Sequence, residues 1–241
     1  MRFNDCFKLP RLYLNCDIQT ETLLALSADQ LHYLKNVLRG QSGDKVRIFN
    51  GRSGEWLASI ESLGKKDGLL KAFEQFKPQP ANEQPLHLLF APIKKKNMDF
   101  MIEKAVELGV TDLHPVMTAR TQNAKINDQR MHAQIIEATE QCERLCPPVL
   151  HESGKLDQKM RNWPSETPLY WAAERLENAQ NLGDCTNVKG FLIGPEGGFN
   201  DTENTLLKGL NFIHPINLGE QILRTETAAL HCLSHAKLSR A

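Results

Sequence analysis

"FLIGPEGGFN", residues 191–200, runs three large apolar side chains straight into a cluster of glycines. Phe191, Leu192 and Ile193 read as the end of a buried strand, and Asn200 opens a polar segment with helical character. A strand that stops at glycines and restarts as a helix is the repeating unit of an α/β sheet, whose ligands collect beyond the carboxyl ends of its strands. Gly194-Pro195-Glu196-Gly197-Gly198 is neither of the common phosphate loops. A P-loop needs Lys and Ser/Thr after its last glycine, where this chain has Phe199 and Asn200, and the dinucleotide loop needs G-x-G-x-x-G. Glu196 would also repel a phosphate. The loop therefore suits an uncharged or cationic ligand approached closely by backbone, such as an adenosine with a sulfonium tail. The alternative is a plain strand-to-helix turn, with Asn200 and Glu203 as a capping pair.

Working outward, a second strand end of the same kind lies in INLGEQILRTETAAL, 216–230, where Gly219 follows a strand and Thr225 is placed to cap the last helix. Strands are expected at LHLLFAP (86–92), VTDLHPVM, PLYWAA, VKGFLI and FIHPINL. Helices are expected at NMDFMIEKAVELG, DQRMHAQIIEATEQCERL, DTENTLLKGL and TETAALHCLSHAKL. In the first of these, Met98, Met101, Ile102, Ala105 and Val106 form one stripe and Gly109 is the stop. Strands alternating with helices predict a mostly parallel sheet over 86–241. The segment FKPQPANEQP, with residues 76–85 as linker, separates this region from 1–75. There KVRIFN, EWLASIESL and LLKAFEQF read as short strands of a small antiparallel sheet or barrel. A helix at ADQLHYLKNVLR carries Leu31, Leu34, Val37 and Leu38 at helical spacing.

Of the 241 residues, 41% are hydrophobic and 24% charged, a globular composition. No apolar run is long enough for a bilayer span, and the N-terminus has no secretory pattern. Net charge is zero, which excludes a general polyanion binder, but residues 1–80 hold 12 basic against 9 acidic groups and the remainder 17 against 20. The scattered cysteines 6, 16, 142, 146, 185 and 232 suit reduced thiols in a cytoplasm. Cys142 and Cys146 are expected on one helix face without a zinc partner pair, and His231 and His235 lack the Glu of H-E-x-x-H, so no metal is expected.

GPEGG followed by LG-x-x-ILRTETA closely resembles the RsmE-type ribosomal RNA uridine methyltransferases of the SPOUT class. PRLYL (10–14), HYLKNVLR (32–39), EKAVELGV (103–110) with Pro115 and Arg120, and EQCER (140–144) extend the resemblance over nearly the whole chain. It implies a PUA-like N-terminal β-barrel and a C-terminal α/β domain with a trefoil knot. It implies methylation of uridine N3 in 16S RNA of the small ribosomal subunit by a homodimer whose active sites are shared between chains. S-adenosylmethionine would lie against the end of PLYWAAE (Ala172, Ala173), the loop Gly194, Pro195, Glu196, Gly197 and Gly198, and the segment Leu218, Gly219, Ile222, Leu223 and Arg224.

The chemistry asks for an N3 proton to leave and for negative charge on the flanking carbonyls to be stabilised, as in an oxyanion hole. Arg224, Arg120 and Arg144 are the candidates for that charge, with a salt bridge as the bland alternative for each. Glu226 and Glu140 are candidate proton acceptors beside water, and Glu226 equally suits the first turn of a helix. Arg11, His32, Arg39 and Lys94 are candidate RNA contacts, against a packed helix residue for His32 and a solvated charge run for Lys94-Lys95-Lys96. Two other functions remain open on sequence alone: a methyltransferase for another base or a ribose hydroxyl, and a non-catalytic RNA-binding assembly factor.

Overall fold

The computed structural model describes residues 3–81, 83–121, 126–173, 176 and 178–240, and the chain divides into two compact units. One comprises residues 1–82 with 139–147, the other 83–138 with 148–241.

In the first unit, a short helix α1 (Phe3–Cys6) leads to strands β1 (Arg11–Tyr13), β2 (Leu23–Ala25), β3 (Lys45–Phe49), β4 (Glu55–Leu63) and β5 (Gly68–Lys77). They form one sheet in the order β1-β3-β4-β5-β2, antiparallel except for the β1–β3 pair. Alternating residues such as Val46, Ile48, Ala58, Ile60, Leu70 and Ala72 build its core. Helix α2 (Ala28–His32) starts at a Ser27–Gln30 capping box and widens into a π-helical turn over Tyr33–Val37. The extra residue in that turn rotates the residues after it about the helix axis. Leu31 and Leu34 are buried, but Val37 and Leu38, expected on the same face, are exposed.

In the second unit, β6 (His87–Phe90), α3 (Lys95–Glu107), β7 (Asp112–Met117) and α4 (Asp128–Gln141), whose residues from Thr139 on belong to the first unit, come first. Then follow β8 (Val149–Leu150), β9 (Gly154–Lys155), α5 (Leu156–Arg161), β10 (Leu169–Ala172), β11 (Gln180–Asn181), β12 (Gly190–Ile193), α6 (Asp201–Lys208), β13 (Ile213–Asn217) and α7 (Thr225–Ser239). The sheet order is β11-β13-β10-β12-β6-β7-β8, with β9 also on β7, and each strand pair is parallel. Helix α3 buries Met98, Met101, Ile102, Ala105 and Val106, the predicted stripe, and stops where Gly109 takes φ +94°. Strand β12 is buried at all four positions, as a central parallel strand requires.

Helix α4 ends at Gln141, before Cys142 and Cys146. These two thiols therefore do not share a helix face, contrary to expectation. Glu143, at φ +60°, is left-handed and prevents the helix from continuing.

Candidate methyl-donor and substrate site

The order β13-β10-β12 makes three loops neighbours at the carboxyl edge of the parallel sheet. Ala172 ends β10 and Ala173 follows it, Gly194–Gly198 follows β12, and Leu218–Arg224 follows β13. The strands are level, since Ala172 pairs with Ile216 and Trp171 with Leu192. Glu174, the last residue of the PLYWAAE segment, lies outside the described residues.

The glycine loop has a defined internal structure. Gly198 donates its N–H to the Pro195 carbonyl at 2.8 Å and sits at φ +68°, where a side chain would be strained. A Cβ on Gly194 would stand 2.7 Å from the ring of Phe199, a buried residue that meets Trp171 edge to face. Gly194 thus lets Phe199 fold back beneath the loop. Asn200 and Glu203 form the reciprocal capping box at the start of α6. The turn and the open glycine backbone coexist: capping accounts for the helix start and leaves Glu196 and Gly197 exposed and Gly198 half-exposed.

Thr225 does not cap α7. Arg224 is the N-cap residue, without a side-chain cap bond, and the Thr225 hydroxyl instead donates to the Gly194 carbonyl at 3.0 Å. Gly219 takes φ +114° and its N–H is held by Asn217 Oδ1 at 2.9 Å. Leu218 and Leu223 are half-buried, while Ile222 and Arg224 are exposed.

Arg120 meets the glycine loop from outside, its Nη1 donating to the Gly197 carbonyl at 2.7 Å. Pro92, Ile93 and Lys94, just past β6, join Arg120, Pro195, Glu196 and Gly197 around one open cleft. Sequence reasoning misses Pro92 and Ile93 as lining residues. Their signal in the chain is faint: the apolar run LHLLFAP continues past its strand. Glu226 is buried, and one of its carboxylate oxygens accepts from Asn97 Nδ2 at 2.9 Å while the other has no hydrogen-bond partner among the described residues.

The remaining candidates belong to the first unit. His32 and Arg39 are exposed, Arg39 in the left-handed conformation at φ +56°. Arg144 and Glu140 lie in the 139–147 segment, where the Glu140 carboxylate accepts the Tyr13 N–H at 2.7 Å. Arg11, expected as an RNA contact, is buried and committed within the fold. Its Nε pairs with Glu55 at 2.5 Å, and its terminal nitrogens donate to the carbonyls of Thr139 (2.8 Å), Glu140 (3.3 Å) and Arg144 (2.6 Å). Arg11 therefore caps the end of α4, supplying donors to carbonyls left over at a helix terminus, and has no face to offer a phosphate.

These two units have matches among known proteins. Residues 80–237 match a family model described as an RNA methyltransferase domain, and residues 26–73 match an RNA methyltransferase PUA domain. Fold and site together define an RNA methyltransferase of the SPOUT class with a PUA-like N-terminal domain. A ribosomal RNA small subunit methyltransferase E of Rickettsia conorii is 33% identical over 96% of each chain. A putative methyltransferase of Legionella pneumophila, solved with its cofactor S-adenosylmethionine, superimposes with TM-score 0.83 at 32% identity, covering 94% of this chain and 96% of that one. The Neisseria gonorrhoeae ribosomal RNA small subunit methyltransferase E, also solved with S-adenosylmethionine, gives TM-score 0.81 at 27% identity over 94% and 95%. The chain belongs to the ribosomal RNA small subunit methyltransferase E family, the RsmE type.

Proposed function

We propose that this chain methylates N3 of a uridine in the 16S RNA of the small ribosomal subunit, with S-adenosylmethionine held by the three loops at the carboxyl edge. The observation that carries this reading is the adjacency of those loops on β10, β12 and β13. The loops fit the donor chemically. Gly198 has nothing within 4 Å of a notional Cβ, leaving room for close backbone approach, and Glu196 is an exposed anion suited to a sulfonium rather than a phosphate. Ala172, Ala173, Leu218 and Leu223 are half-buried and supply small apolar surface at the same edge.

S-adenosylmethionine supplies an electrophilic methyl carbon on a positively charged sulfur. The protein's work is to fix the uridine in line with it, since positioning alone accounts for much of the rate of such a displacement. N3 must lose its proton, and the charge left behind spreads to the two flanking carbonyl oxygens. Arg120 is poised for one of them: its guanidinium is pinned by the Gly197 carbonyl beside the glycine loop. Arg224, exposed at the start of α7, and Arg144, on the 139–147 segment, are the other candidates. Arginine stays protonated and stabilises charge without acting as base. Glu226 is turned inward onto Asn97, and that burial favours water as proton acceptor.

Arg39 and Lys94 are exposed cations and His32 an exposed imidazole, each placed to meet RNA phosphates. The reading includes a homodimer with shared active sites, for which the exposed apolar Phe100, Ile222 and Leu238 offer partner surface. It also includes the family's trefoil knot and action in the cytoplasm on the assembled subunit. No helix among the described residues is long and apolar enough to cross a membrane.

The test is methyl transfer from labelled S-adenosylmethionine to small subunits lacking the modification, read by primer extension. A new stop at one uridine is expected, because a methyl on N3 blocks Watson–Crick pairing. Label on a ribose hydroxyl, which leaves pairing intact, or no incorporation at all, refutes the assignment.

A further inference from the structure

The edge of the parallel sheet opposite the methyl-donor loops carries a cluster that methyl transfer does not use. His87 and Asp112 are the first residues of β6 and β7 and face each other in register. His114, two residues along β7, lies on the same face as Asp112. His151, just past β8, is tied to β7 by its N–H to the Leu113 carbonyl at 2.9 Å. Trp163, beyond α5, sets its ring edge-on to both His87 and His114, with centroids 5.2 and 5.3 Å away.

We propose that His87 Nδ1, His114 Nε2 and Asp112 Oδ2 bind one divalent transition-metal ion of the zinc class, as a structural staple for this edge. The two ring nitrogens stand 3.2 Å apart and Asp112 Oδ2 is 3.6 Å from His87 Nδ1. Tetrahedral zinc with bonds of about 2.0–2.1 Å places its ligand atoms roughly 3.3 Å from one another, so an ion fits here with small side-chain shifts. All three donor atoms lie within 4.8 Å of one another.

The chemistry of the donors agrees. Two facing imidazole nitrogens at this distance satisfy one hydrogen bond between them, whereas an ion takes both lone pairs. Burial is the main cause holding both rings neutral: it lowers His87 and pushes His114 down to about 3. Burial alone would raise Asp112, but hydrogen bonds from His151 and Thr111 outweigh it and keep the carboxylate ionised.

The supporting shell is in place too. His151 Nε2 holds the other carboxylate oxygen, Oδ1, at 2.7 Å, and its ring stacks on His114 at 3.9 Å with planes 13° apart. Thr111 Oγ1 donates to Asp112 Oδ2 at 2.7 Å, leaving that oxygen a second lone pair. Such outer partners orient ligands in metal sites. The His151 side is half-exposed and gives an ion its way in, while His114 is buried. The ion links β6 to β7 directly and, through the hydrogen bond between His151 and Asp112, adds to the pairing that holds the segment after β8 to β7.

The experiment uses tag-free, full-length protein stripped with chelator and titrated with ZnCl2 by calorimetry, with CoCl2 absorption as a second reading of coordination number. The expected result is one zinc ion per chain, a visible four-coordinate cobalt band with water as the fourth ligand beside the three protein donors, and a melting temperature raised by zinc. Asp112→Asn keeps the shape of the side chain and His87→Gln removes one nitrogen. Each should weaken zinc binding by at least about tenfold and abolish the thermal shift, while S-adenosylmethionine binding, which reports folding, stays as in the parent. Absence of saturable zinc binding by the parent protein overturns the proposal, as does zinc binding of undiminished affinity in both variants.

Discussion

The Thr225 hydroxyl donates to the Gly194 carbonyl at 3.0 Å, joining the start of α7 to the loop after β12 across 31 residues of chain. This single bond ties together two of the three loops assigned to the methyl donor. Thr225→Val keeps the shape, removes the donor and leaves a partly buried carbonyl unsatisfied, at a cost of about 1–3 kcal/mol. S-adenosylmethionine affinity by calorimetry should fall roughly tenfold or more, and Thr225→Ser should restore most of it. Equal affinity in Thr225→Val and the parent would mean that the bond does not shape the site.

Gly194 and Gly198 should fail for different reasons when replaced by alanine. At Gly194 the added methyl meets the Phe199 ring at 2.7 Å, and Phe199 cannot yield without disturbing Trp171. Overpacking of this kind costs about 1–3 kcal/mol, so Gly194→Ala should lower the melting temperature and weaken donor binding together. Gly198→Ala has open space and only a left-handed φ of +68° to sustain, at about 1–2 kcal/mol. Thermal melts with and without S-adenosylmethionine separate the two. A Gly194→Ala protein as stable as the parent would contradict the tight turn.

Arg11 should matter for folding and not for RNA. It and Arg47 are register partners on β1 and β3, and both reach Glu55, which is fully buried, with Nε–Oε1 2.5 Å and Nη1–Oε1 3.5 Å. Removing one member of a buried ion pair costs about 3–5 kcal/mol. Arg11→Met should therefore lower stability by denaturant titration, while the salt dependence of RNA binding is unchanged. A salt slope reduced by roughly one unit, the signature of a lost phosphate contact, would return Arg11 to the RNA interface.

Acid should loosen the first unit through Glu143. Burial pushes its carboxyl up, but the hydrogen bond and charge of Arg47, with Lys77 and Arg11 behind, outweigh this and hold it below the ordinary value. A carboxyl with a depressed folded value stabilises fully above its unfolded value and loses that contribution as pH falls through the folded one. Melting temperature should therefore decline below about pH 4.3, the ordinary value for Glu, and Glu143→Gln should flatten that decline. An unchanged acid limb in the variant would place the sensitivity elsewhere.

The legible parts of this fold are those with local periodic signals. The α3 stripe and the buried run of β12 repeat within a few residues and are found as expected, and the Asn200–Glu203 capping box, the alternative reading of the glycine turn, is also present. Long-range pairing is invisible in the chain. The capping of α4 by Arg11 joins residues about 130 apart, so Arg11 looks like a spare surface cation and the return of residues 139–147 to the first unit has no linear signature. The π-helical turn after α2 hides behind an ordinary heptad-like spacing and reverses the exposure of Val37 and Leu38. Strands of two or three residues, such as β8, β9 and β11, are held by neighbours rather than by pattern. The glycine loop itself is readable because a left-handed Gly198 and a ring folded under Gly194 demand glycine whatever the tertiary context. The His87–Asp112–His114 cluster, by contrast, assembles from two strands, and no spacing search designed for helical or paired motifs finds it.

Hydrogen–deuterium exchange on the full-length protein, with and without saturating S-adenosylmethionine, tests most directly whether these three loops hold the donor. Protection should appear in peptides covering Ala172–Ala173, Gly194–Gly198 and Leu218–Arg224, together and at one ligand concentration, and should not appear with ATP. Unchanged exchange in those peptides at saturation, or equal protection by ATP, would contradict the assignment.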